Sequence, residues 1–205
     1  MATKKAATKK FVDPTVKVVK GQYKVNGNFH RIIPNKPIYN EKNVLCGVTN
    51  PREITHIHSY GGEAIFFESL PKGKLLGAQC VNPECEFPNT IWIPFRTCCA
   101  DCLTKNKPVD ITKVARETAT IHSFMVTERT GAFNTLSTPI TFINVEFTHP
   151  NIDTILMGYM SYGKPAFGMR VVPIFKKKNP TFTITDLSWV PEGTPKSKLP
   201  KDFSF

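Results

Sequence analysis

Five of the six cysteines of this chain lie in one short segment, CVNPECEFPNTIWIPFRTCCADC, which runs from Cys80 to Cys102. Thiolate sulfurs are preferred ligands of Zn²⁺, and four of them complete a tetrahedral site with zinc–sulfur distances of about 2.3 Å. Two cysteine pairs separated by a loop of about a dozen residues are typical of a zinc ribbon. The segment therefore predicts a zinc site near the middle of the sequence.

The spacing of the cysteines indicates which four of them bind the metal. The first pair is Cys80-x4-Cys85, and the second is Cys99-x2-Cys102, which has the preferred spacing of a zinc turn. Cys98 is the alternative to Cys99. In an extended approach, however, adjacent side chains point to opposite sides, so Cys98 is expected to be the spare thiol. We predict Cys80, Cys85, Cys99 and Cys102 as the ligands.

A site of four cysteines has no open coordination position at which water is activated, so the predicted Zn²⁺ is structural. A redox dithiol at Cys99 and Cys102 is the competing interpretation, but it leaves Cys80 and Cys85 unexplained. The sequence contains no phosphate-binding glycine loop, no G-x-S-x-G turn and no H-E-x-x-H pair. We predict no catalytic residue, and an independent enzyme whose site assembles only in space is a third hypothesis.

The cellular compartment follows from the first residues and from the cysteine pattern. The N-terminus, MATKKAATKK, has neither the apolar centre of a signal peptide nor the arginines of a transit peptide. No apolar run approaches the roughly 20 residues of a membrane-spanning helix. Clustered cysteines without an export signal favour metal binding over disulfides. We expect a cytoplasmic protein without membrane contact, in which Cys46 is a free, buried thiol.

The net charge of +11 raises the hypothesis of an anionic partner. Residues 1–25 contain seven lysines and one acid, which gives +6, and residues 176–205 contain six lysines and three acids, which gives +3. The middle of the chain is almost neutral, so solubilising ends are the favoured interpretation. The alternative is a single-stranded nucleic-acid-binding barrel, whose candidate stacking residues are Phe124, Phe142, Phe147 and Tyr159.

Several short elements surround the cysteine segment. Residues 63–70, EAIFFESL, predict a short amphipathic helix that ends before Pro71 and Gly73. Before it, short extended runs predict a hairpin with its turn at Asn26–Asn28. After the cysteines, β-branched and aromatic residues separated by turn formers predict five strands, at 121–128, 140–147, 154–160, 169–177 and 182–189.

These elements predict a mainly β fold: a zinc ribbon of the rubredoxin-like kind followed by a five-stranded OB-fold barrel, with an extended N-terminal segment. The predicted division is an N-terminal extension with a basic, partly disordered tail at 1–58, a helix and zinc ribbon at 59–118, the barrel at 119–191 and a C-terminal tail at 192–205. Several predicted strands are apolar on both faces, which indicates a barrel wall covered by another module or chain.

Three motifs occur in the order found in a known family. FFESLPKGKLLGAQC (66–80) combines an aromatic pair with a Gly-x-Leu-x-Gly-x-x-Cys entry to the first cysteine pair. Ile93-Pro94-Phe95-Arg96 precedes the second pair, and Phe167–Val172 carries a glycine followed by hydrophobic residues. With these motifs, residues 60–191 resemble the zinc-ribbon/OB-fold family of acyl-CoA-associated proteins. The x4 spacing of the first pair departs from the x2 spacing usual in that family.

The resemblance implies a function as well as a fold. Members of the family commonly form heteromeric complexes with a thiolase-like enzyme or a hydratase. The resemblance therefore implies a non-catalytic accessory subunit with structural Zn²⁺, a thiolase-like catalytic subunit as its partner, and a coenzyme A ester as the ligand of the complex. On this interpretation nucleic acid is not the partner.

Overall fold

The computed structural model of the protein describes residues 12–129 and 136–205. The chain divides into two compact units, and the boundary between them in the sequence lies between Ser59 and Tyr60. The first unit contains six short strands. They are β1 (Thr15–Val19), β2 (Gln22–Asn26), β3 (His30–Ile32), β4 (Pro37–Tyr39), β5 (Leu45–Val48) and β6 (Arg52–Ile54).

The strands of the first unit associate only in antiparallel pairs: β1 with β2, β3 with β6, and β4 with β5. None of the described residues between Val12 and Ser59 is buried. Two-stranded pairs are marginally stable in water because their faces bury little apolar surface. The first unit therefore has strands but no hydrophobic core among its described residues.

The turn of the β1–β2 hairpin is at Lys20–Gly21, where φ is 50° and 74°. A two-residue type I′ turn requires positive φ at both positions, and glycine accepts it without strain. The predicted turn at Asn26–Asn28 is therefore wrong. The Asn28 backbone N–H instead donates to the Val12 carbonyl over 2.9 Å, which continues the pairing of the same two strands.

The second unit begins with a helical segment that confirms the predicted helix. A 3-10 helix at Gly61–Glu63 leads into α1 (Ala64–Ser69), and a 3-10 turn at Leu70–Lys72 ends at Gly73 with φ 74°. Phe66, Ser69 and Leu70 are buried on one side of this segment. The remaining helices are α2 (Thr112–Thr118) and 3-10 turns at Ile184–Asp186 and Lys196–Lys198.

A three-stranded sheet carries the cysteine loops. Its strands are β7 (Leu76–Gln79), β8 (Ile91–Trp92) and β9 (Lys107–Asp110), in the order β8-β7-β9 and all antiparallel. Cys80 follows β7 directly, and the connection from β7 to β9 contains all five clustered cysteines. The central strand therefore brings the beginning and the end of the cysteine segment together.

The larger sheet contains β10 (Thr120–Thr127), β11 (Ile140–Glu146), β12 (Leu156–Met160), β13 (Val171–Lys176), β14 (Leu187–Pro191) and β15 (Phe203–Ser204). Its order is β10-β11-β12-β14-β13-β15, and β12 and β14 are parallel. An isolated bridge joins Thr120 to Arg170, so the first strand also contacts the segment that enters β13. The sheet thus has six strands rather than the predicted five, and among the described residues it does not close into a barrel; it is called the partly open barrel, or simply the barrel, below. The mainly β class is confirmed.

One hydrophobic core extends from the helical segment through the small sheet into the barrel, and its largest buried side chains are Trp189, Phe66 and Phe175. Trp189 is fully buried, and a Cβ at Gly158 would lie 2.9 Å from its Nε1, so only glycine permits this approach. Strand β14 is buried at four successive positions, Leu187–Val190, as its apolar sequence predicts. Helix α2 and the turn at 70–72 pack on the neighbouring β13, so elements of the same unit cover part of this wall.

The last predicted strand, 182–189, is only partly correct. Residues 182–186 form a turn and a 3-10 helix because the buried carboxylate of Asp186 organises them. It accepts hydrogen bonds from the backbone N–H groups of Thr181 (2.9 Å) and Phe182 (2.6 Å) and from the Thr181 hydroxyl (2.7 Å). Among the described residues, no helix is long and apolar enough to cross a membrane.

Candidate metal centre

Four cysteine sulfurs, those of Cys80, Cys85, Cys99 and Cys102, lie within 4.8 Å of one another. The Cys80 and Cys102 sulfurs are 3.7 Å apart, and the Cys85 and Cys99 sulfurs are 3.9 Å apart. A tetrahedron with zinc–sulfur bonds of about 2.3 Å has sulfur–sulfur edges of about 3.8 Å. The donor set and its spacing therefore fit a tetrahedral zinc ion, and these are the four cysteines selected from the sequence.

Backbone geometry at the two cysteine loops places the sulfurs. Cys80 lies at the end of β7, and its N–H donates to the Thr90 carbonyl over 2.9 Å. In the second loop the Cys99 N–H donates to Thr104 O over 2.9 Å. Leu103, between Cys99 and Thr104, adopts a positive φ of 60° that closes this turn. Both loops are thus closed by backbone hydrogen bonds that do not involve the sulfurs.

Backbone N–H groups two residues beyond a cysteine also face three of the sulfurs. Asn82 donates to Cys80, Phe87 donates to Cys85, and Thr104 donates to Cys102. Such hydrogen bonds stabilise a thiolate, because they place positive dipoles against the negative charge. A buried cluster of thiolates needs this compensation, and a bound metal cation would add further positive charge.

The thiols differ in their ionisation because their surroundings differ. Burial raises the pKa of Cys80 to about 12, since an anion there has lost its contact with water. Hydrogen bonds from the Thr104 hydroxyl and then from its backbone N–H lower the pKa of Cys102 to about 6. A metal bound by these sulfurs would have to displace the proton of Cys80, whereas Cys102 gives up its proton more readily.

The two remaining cysteines lie outside this cluster. Cys98 is exposed, and its backbone forms an isolated β-bridge with Lys105. Adjacent side chains of an extended segment point to opposite sides, so the Cys98 side chain points away from that of Cys99. Cys46 is exposed too, and its sulfur lies 3.3 Å from the Val44 carbonyl. The prediction of a buried Cys46 is wrong, because the unit that contains it has no buried residue in its described part.

Residues around the cluster exclude water from it. Cys80, Cys85 and Cys99 are buried, and Trp92 of β8 packs against them. The Arg96 guanidinium carbon lies 5.6 Å from the centre of the Trp92 ring, a cation–π distance. With four sulfurs and no fifth protein ligand in the described cluster, the arrangement is suited to holding the fold together.

A cleft of about 560 Å³ lies beside the cluster, between the loop at 86–92 and the barrel loop at 149–154. Its walls include Glu86, Asp101 and Asp153, besides Trp92. Three carboxylates repel phosphate groups, so this cleft is unsuited to the nucleotide end of a coenzyme A ester. We find no sequence signal for it, because its residues come from loops far apart in the chain.

The four aromatic residues considered for nucleic-acid stacking differ in burial. Phe147 is 7% exposed, and Phe124, Phe142 and Tyr159 are half-buried. Tyr159 donates its hydroxyl proton to the Thr185 carbonyl over 3.0 Å. Phe124 packs against the core with its ring 5.0 Å from that of Phe167. Phe147 is therefore unsuited to stacking on a base, and none of the other three is fully exposed.

Arg170, which the motif at 167–172 contains, has a structural role in the second unit. Its guanidinium donates to the carbonyls of Ala119 (2.9 Å) and Arg116 (3.0 Å) at the end of α2, and it lies 3.5 Å from Glu192. It therefore caps a helix C-terminus, where a cation interacts favourably with the unpaired carbonyls. This contact lies beside the Thr120–Arg170 bridge that joins the barrel's ends.

The solved structures that are similar to the chain include two DUF35 proteins. One is a DUF35 family protein of unknown function from Sulfolobus solfataricus, at 23% identity and a TM-score of 0.45, which covers 66% of this chain and 90% of that protein. The other is the Ltp2-ChsH2(DUF35) aldolase, at 18% identity and a TM-score of 0.48, which covers 66% and 98%. Both descriptions carry the DUF35 designation. No protein-family model and no curated protein matches the chain.

Sequence reasoning found the four sulfurs but missed the residues that support them. Asn82 and Thr104 were not singled out, although each stands two positions after a predicted ligand, where the N–H of a zinc turn is expected. No sequence pattern assigned Trp92 or Arg96 a place beside the sulfurs. A position two residues after a predicted ligand is a usable sequence signal for Asn82 and Thr104. The packing of Trp92 depends on the order of strands in the sheet and has no such signal.

Proposed function

We propose that this protein is a non-catalytic, zinc-binding accessory subunit of a heteromeric thiolase-type acyl-CoA enzyme complex. The observation that carries the proposal is the closed cluster of four cysteines attached to a β-barrel through one continuous core. A metal with four thiolate ligands has no position for substrate, so its role is to hold the ribbon in shape. Chemistry would then belong to the partner subunit.

The outer face of the barrel supports a role in assembly. The register of β10, β11 and β12 places Met125 beside Phe142 and Asn144 beside Met157 on this face. Met125 is 59% exposed and Met157 is 66% exposed, and they border a shallow recess of about 150 Å³. Flexible methionines around an aromatic ring are typical of surfaces that adapt to a partner. We propose that the catalytic subunit contacts this face.

The acyl-CoA part of the proposal comes from the sequence motifs at 66–80, 93–96 and 167–172. The partner would supply the nucleophile and the acid–base groups, and a coenzyme A ester would bind to the complex. Within this function, the sequence resembles the small zinc-finger subunit of the benzoylsuccinyl-CoA thiolase of anaerobic toluene degradation, and we propose that complex as a specific form of the function. It rests on overall build and on the long N-terminal segment, and the accessory role does not depend on it.

The test is purification of the tagged full-length chain from native cell extract, with identification of co-purifying chains and zinc measurement on the same fraction. We expect a stoichiometric thiolase-like chain, about one zinc per copy, as four sulfurs require, and cleavage of acyl-CoA by the purified complex. A chain that purifies alone, or with nucleic acid that nuclease removes, would contradict the proposal.

A matched pair of variants connects the metal to assembly. Cys99→Ser removes a buried sulfur of the cluster, whereas Cys98→Ser changes the exposed neighbour. We expect the first variant to lose zinc and the co-purifying subunit, and the second to keep both. Full zinc content and full complex activity in Cys99→Ser would show that the ligand assignment is incorrect.

A further inference from the structure

A further cavity lies at the edge of the larger sheet, where the chain leaves β13 and where it enters β15. Its volume is about 410 Å³, within the roughly 300–1,000 Å³ of small-molecule sites. Two short segments line it, and their residues are Lys177, Lys178, Lys201, Asp202, Phe203 and Ser204. Three lysines against one aspartate give a balance of +2. This cavity, called the lysine pocket below, therefore has the opposite charge to the acidic cleft beside the cysteines.

Contacts between the two segments hold the walls of the lysine pocket in place. Phe203 of β15 pairs with Lys176 of β13, and the Lys178 N–H donates to the Asp202 carbonyl over 3.3 Å. The Asn179 side-chain amide donates to an Asp202 carboxylate oxygen, also over 3.3 Å. Asn179 and Asp202 have positive φ, 49° and 71°, which asparagine and aspartate tolerate better than most residues. The backbone that carries the lysines is thus positioned before any ligand binds.

The ammonium groups of the lysine pocket differ in the contacts that the protein gives them. Lys177 donates to the Phe205 backbone oxygen over 2.5 Å, and its Nζ lies 3.1 Å from the place of a Cβ at Gly73. Among the residues that the structure describes, neither Lys178 nor Lys201 forms an ion pair with a carboxylate. Like charges around one pocket repel one another, and a bound anion relieves that repulsion. Lys178 and Lys201 are therefore the groups best placed to bind an anion.

The chemistry and the size of the lysine pocket favour a small phosphate-bearing ligand. Lysine ammonium groups bind phosphate oxygens as point charges, and the Ser204 hydroxyl in the wall is a further donor. A volume of about 410 Å³ has room for more than one phosphate group, so Lys178 and Lys201 can each contact one. A nucleic-acid strand needs a groove that follows its backbone and several rings for stacking, whereas Phe203 is the single aromatic residue that lines this pocket.

We propose that the lysine pocket binds the diphosphate group of a small molecule, with Lys178 and Lys201 in contact with its oxygens. The inference goes beyond the proposed function and does not depend on it, because the isolated chain contains every residue of the pocket. Two sources of the diphosphate group have this chemistry: a free oligophosphate, and the nucleotide end of the coenzyme A ester. Pyrophosphate is the probe that tests the shared chemistry.

The first experiment measures pyrophosphate binding to the full-length chain by calorimetry at about 0.15 M salt, where charges more than roughly 8 Å apart are screened. Lys178→Gln with Lys201→Gln removes two ammonium groups from the pocket. Lys196→Gln with Lys198→Gln removes the same charge from the exposed turn at 196–198, which does not line it. We expect the first double variant to raise the Kd about tenfold or more, because hydrogen bonds to charged groups are the strong ones. The second should change the Kd less than about twofold.

All four substituted lysines are exposed, so both double variants should fold, and thermal unfolding checks this. Equal weakening by the two double variants would assign the binding to net charge and overturn the proposal. Binding of a single-stranded oligonucleotide without binding of pyrophosphate would overturn it too. If nothing binds, this proposal fails, whereas the proposed function, which co-purification tests, is unaffected.

Backbone amide chemical shifts locate the bound pyrophosphate, and competition identifies the source of the group. Pyrophosphate should shift the amides of 176–178 and 201–204, and shifts confined to other segments would overturn the assignment of the pocket. If coenzyme A displaces pyrophosphate and binds more weakly to the Lys178→Gln, Lys201→Gln variant, the lysine pocket holds the nucleotide end of the ester. If pyrophosphate binds and coenzyme A does not compete, the ligand is a separate oligophosphate.

Discussion

The strand pairs at 12–59 and the barrel strands at 120–191 are built from the same kinds of residue, namely valine, isoleucine and aromatics, yet only the second set is buried. Val18 in β1 is 62% exposed, whereas Val171 in β13 is fully buried. The difference lies in what covers each strand. A paired strand with one free face gains little from burial, whereas β13 lies in a six-stranded sheet and is covered by α2. Composition therefore predicts strands, and the neighbours of a strand determine its stability.

The largest expected effect is the loss of stability of the second unit when its metal site is removed, because the first unit has no such site among its described residues. Cys99→Ser, or removal of zinc by a chelator, should lower the free energy of unfolding of the second unit by on the order of 5 kcal/mol, because a structural zinc site contributes roughly 10–16 kcal/mol to folding. Cys98→Ser should change it by less than about 0.5 kcal/mol. Thermal unfolding with zinc quantification measures both, and equal behaviour of the two variants would contradict the assigned cluster.

Substitution of a large side chain should also destabilise the second unit more than the first, by an effect that does not involve the metal site. Phe175→Ala removes a fully buried ring and should destabilise the second unit by about 3–5 kcal/mol through lost burial and a cavity. Tyr39→Ala, in the first unit, removes a ring that is 55% exposed and should cost less than about 0.5 kcal/mol. Urea unfolding of the isolated protein checks this pair. A large loss in Tyr39→Ala would mean that the first unit is stabilised by more than its strand pairs.

Tyr159 provides a smaller effect that depends on pH. Burial, followed by the negative charge of Asp186, raises its pKa to about 12, whereas an unfolded tyrosine ionises near pH 10. The neutral form is therefore favoured by folding, and this stability is present below pH 10 and is lost as the pH rises towards 12. Tyr159→Phe should cost about 1 kcal/mol at pH 8 through the lost hydrogen bond to Thr185 O.

That difference should disappear near pH 11, because only the unmodified protein must keep a buried tyrosine protonated. Urea unfolding of both proteins at pH 8 and pH 11 measures it. A difference that is constant with pH would show that the Tyr159 hydroxyl is not held neutral by the fold.

The smallest expected effect on global stability comes from the hairpin turn. Gly21→Ala places a Cβ at φ 74°, which disfavours the β1–β2 turn by about 1 kcal/mol. Because the second unit has its own core, its unfolding midpoint should not move. Backbone amide chemical shifts of 15–26 should report the local loss. A shift in the global midpoint would show that the two units unfold together.

The sequence was sufficient to predict which four cysteines lie together and where most strands occur. Cysteine spacing and the alternation of side chains are local properties of the sequence. Cys99 could be separated from Cys98 by alternation alone, and the strands at 121–128 and 140–147 agree with β10 and β11 within one residue. Strand patterns failed where a side chain bonds to the backbone a few residues earlier in the chain. The carboxylate of Asp186 accepts three hydrogen bonds and replaces the predicted strand start at 182 with a turn.

Burial was the harder property to predict. Cys46 was expected to be buried because free cysteines usually are, but its strand β5 pairs only with β4. The hairpin turn was placed at Asn26–Asn28 because asparagine and glycine favour turns, whereas the register of Val16–Val25 requires it at Lys20–Gly21. Strand pairing decides the exposure of Cys46, and cross-strand register decides the position of the hairpin turn. A single sequence specifies neither.

The order of strands in the second unit has a consequence for how the chain folds during synthesis. Strand β7 lies in the centre of its sheet, but its partner β9 begins only at Lys107, and β12 receives its parallel neighbour β14 only after residue 187. Pairing across such separations is slow because long loops must close first. The first-unit hairpins form within microseconds of leaving the ribosome, since their contacts are local. Nearly the whole chain must therefore be made before the larger sheet is complete.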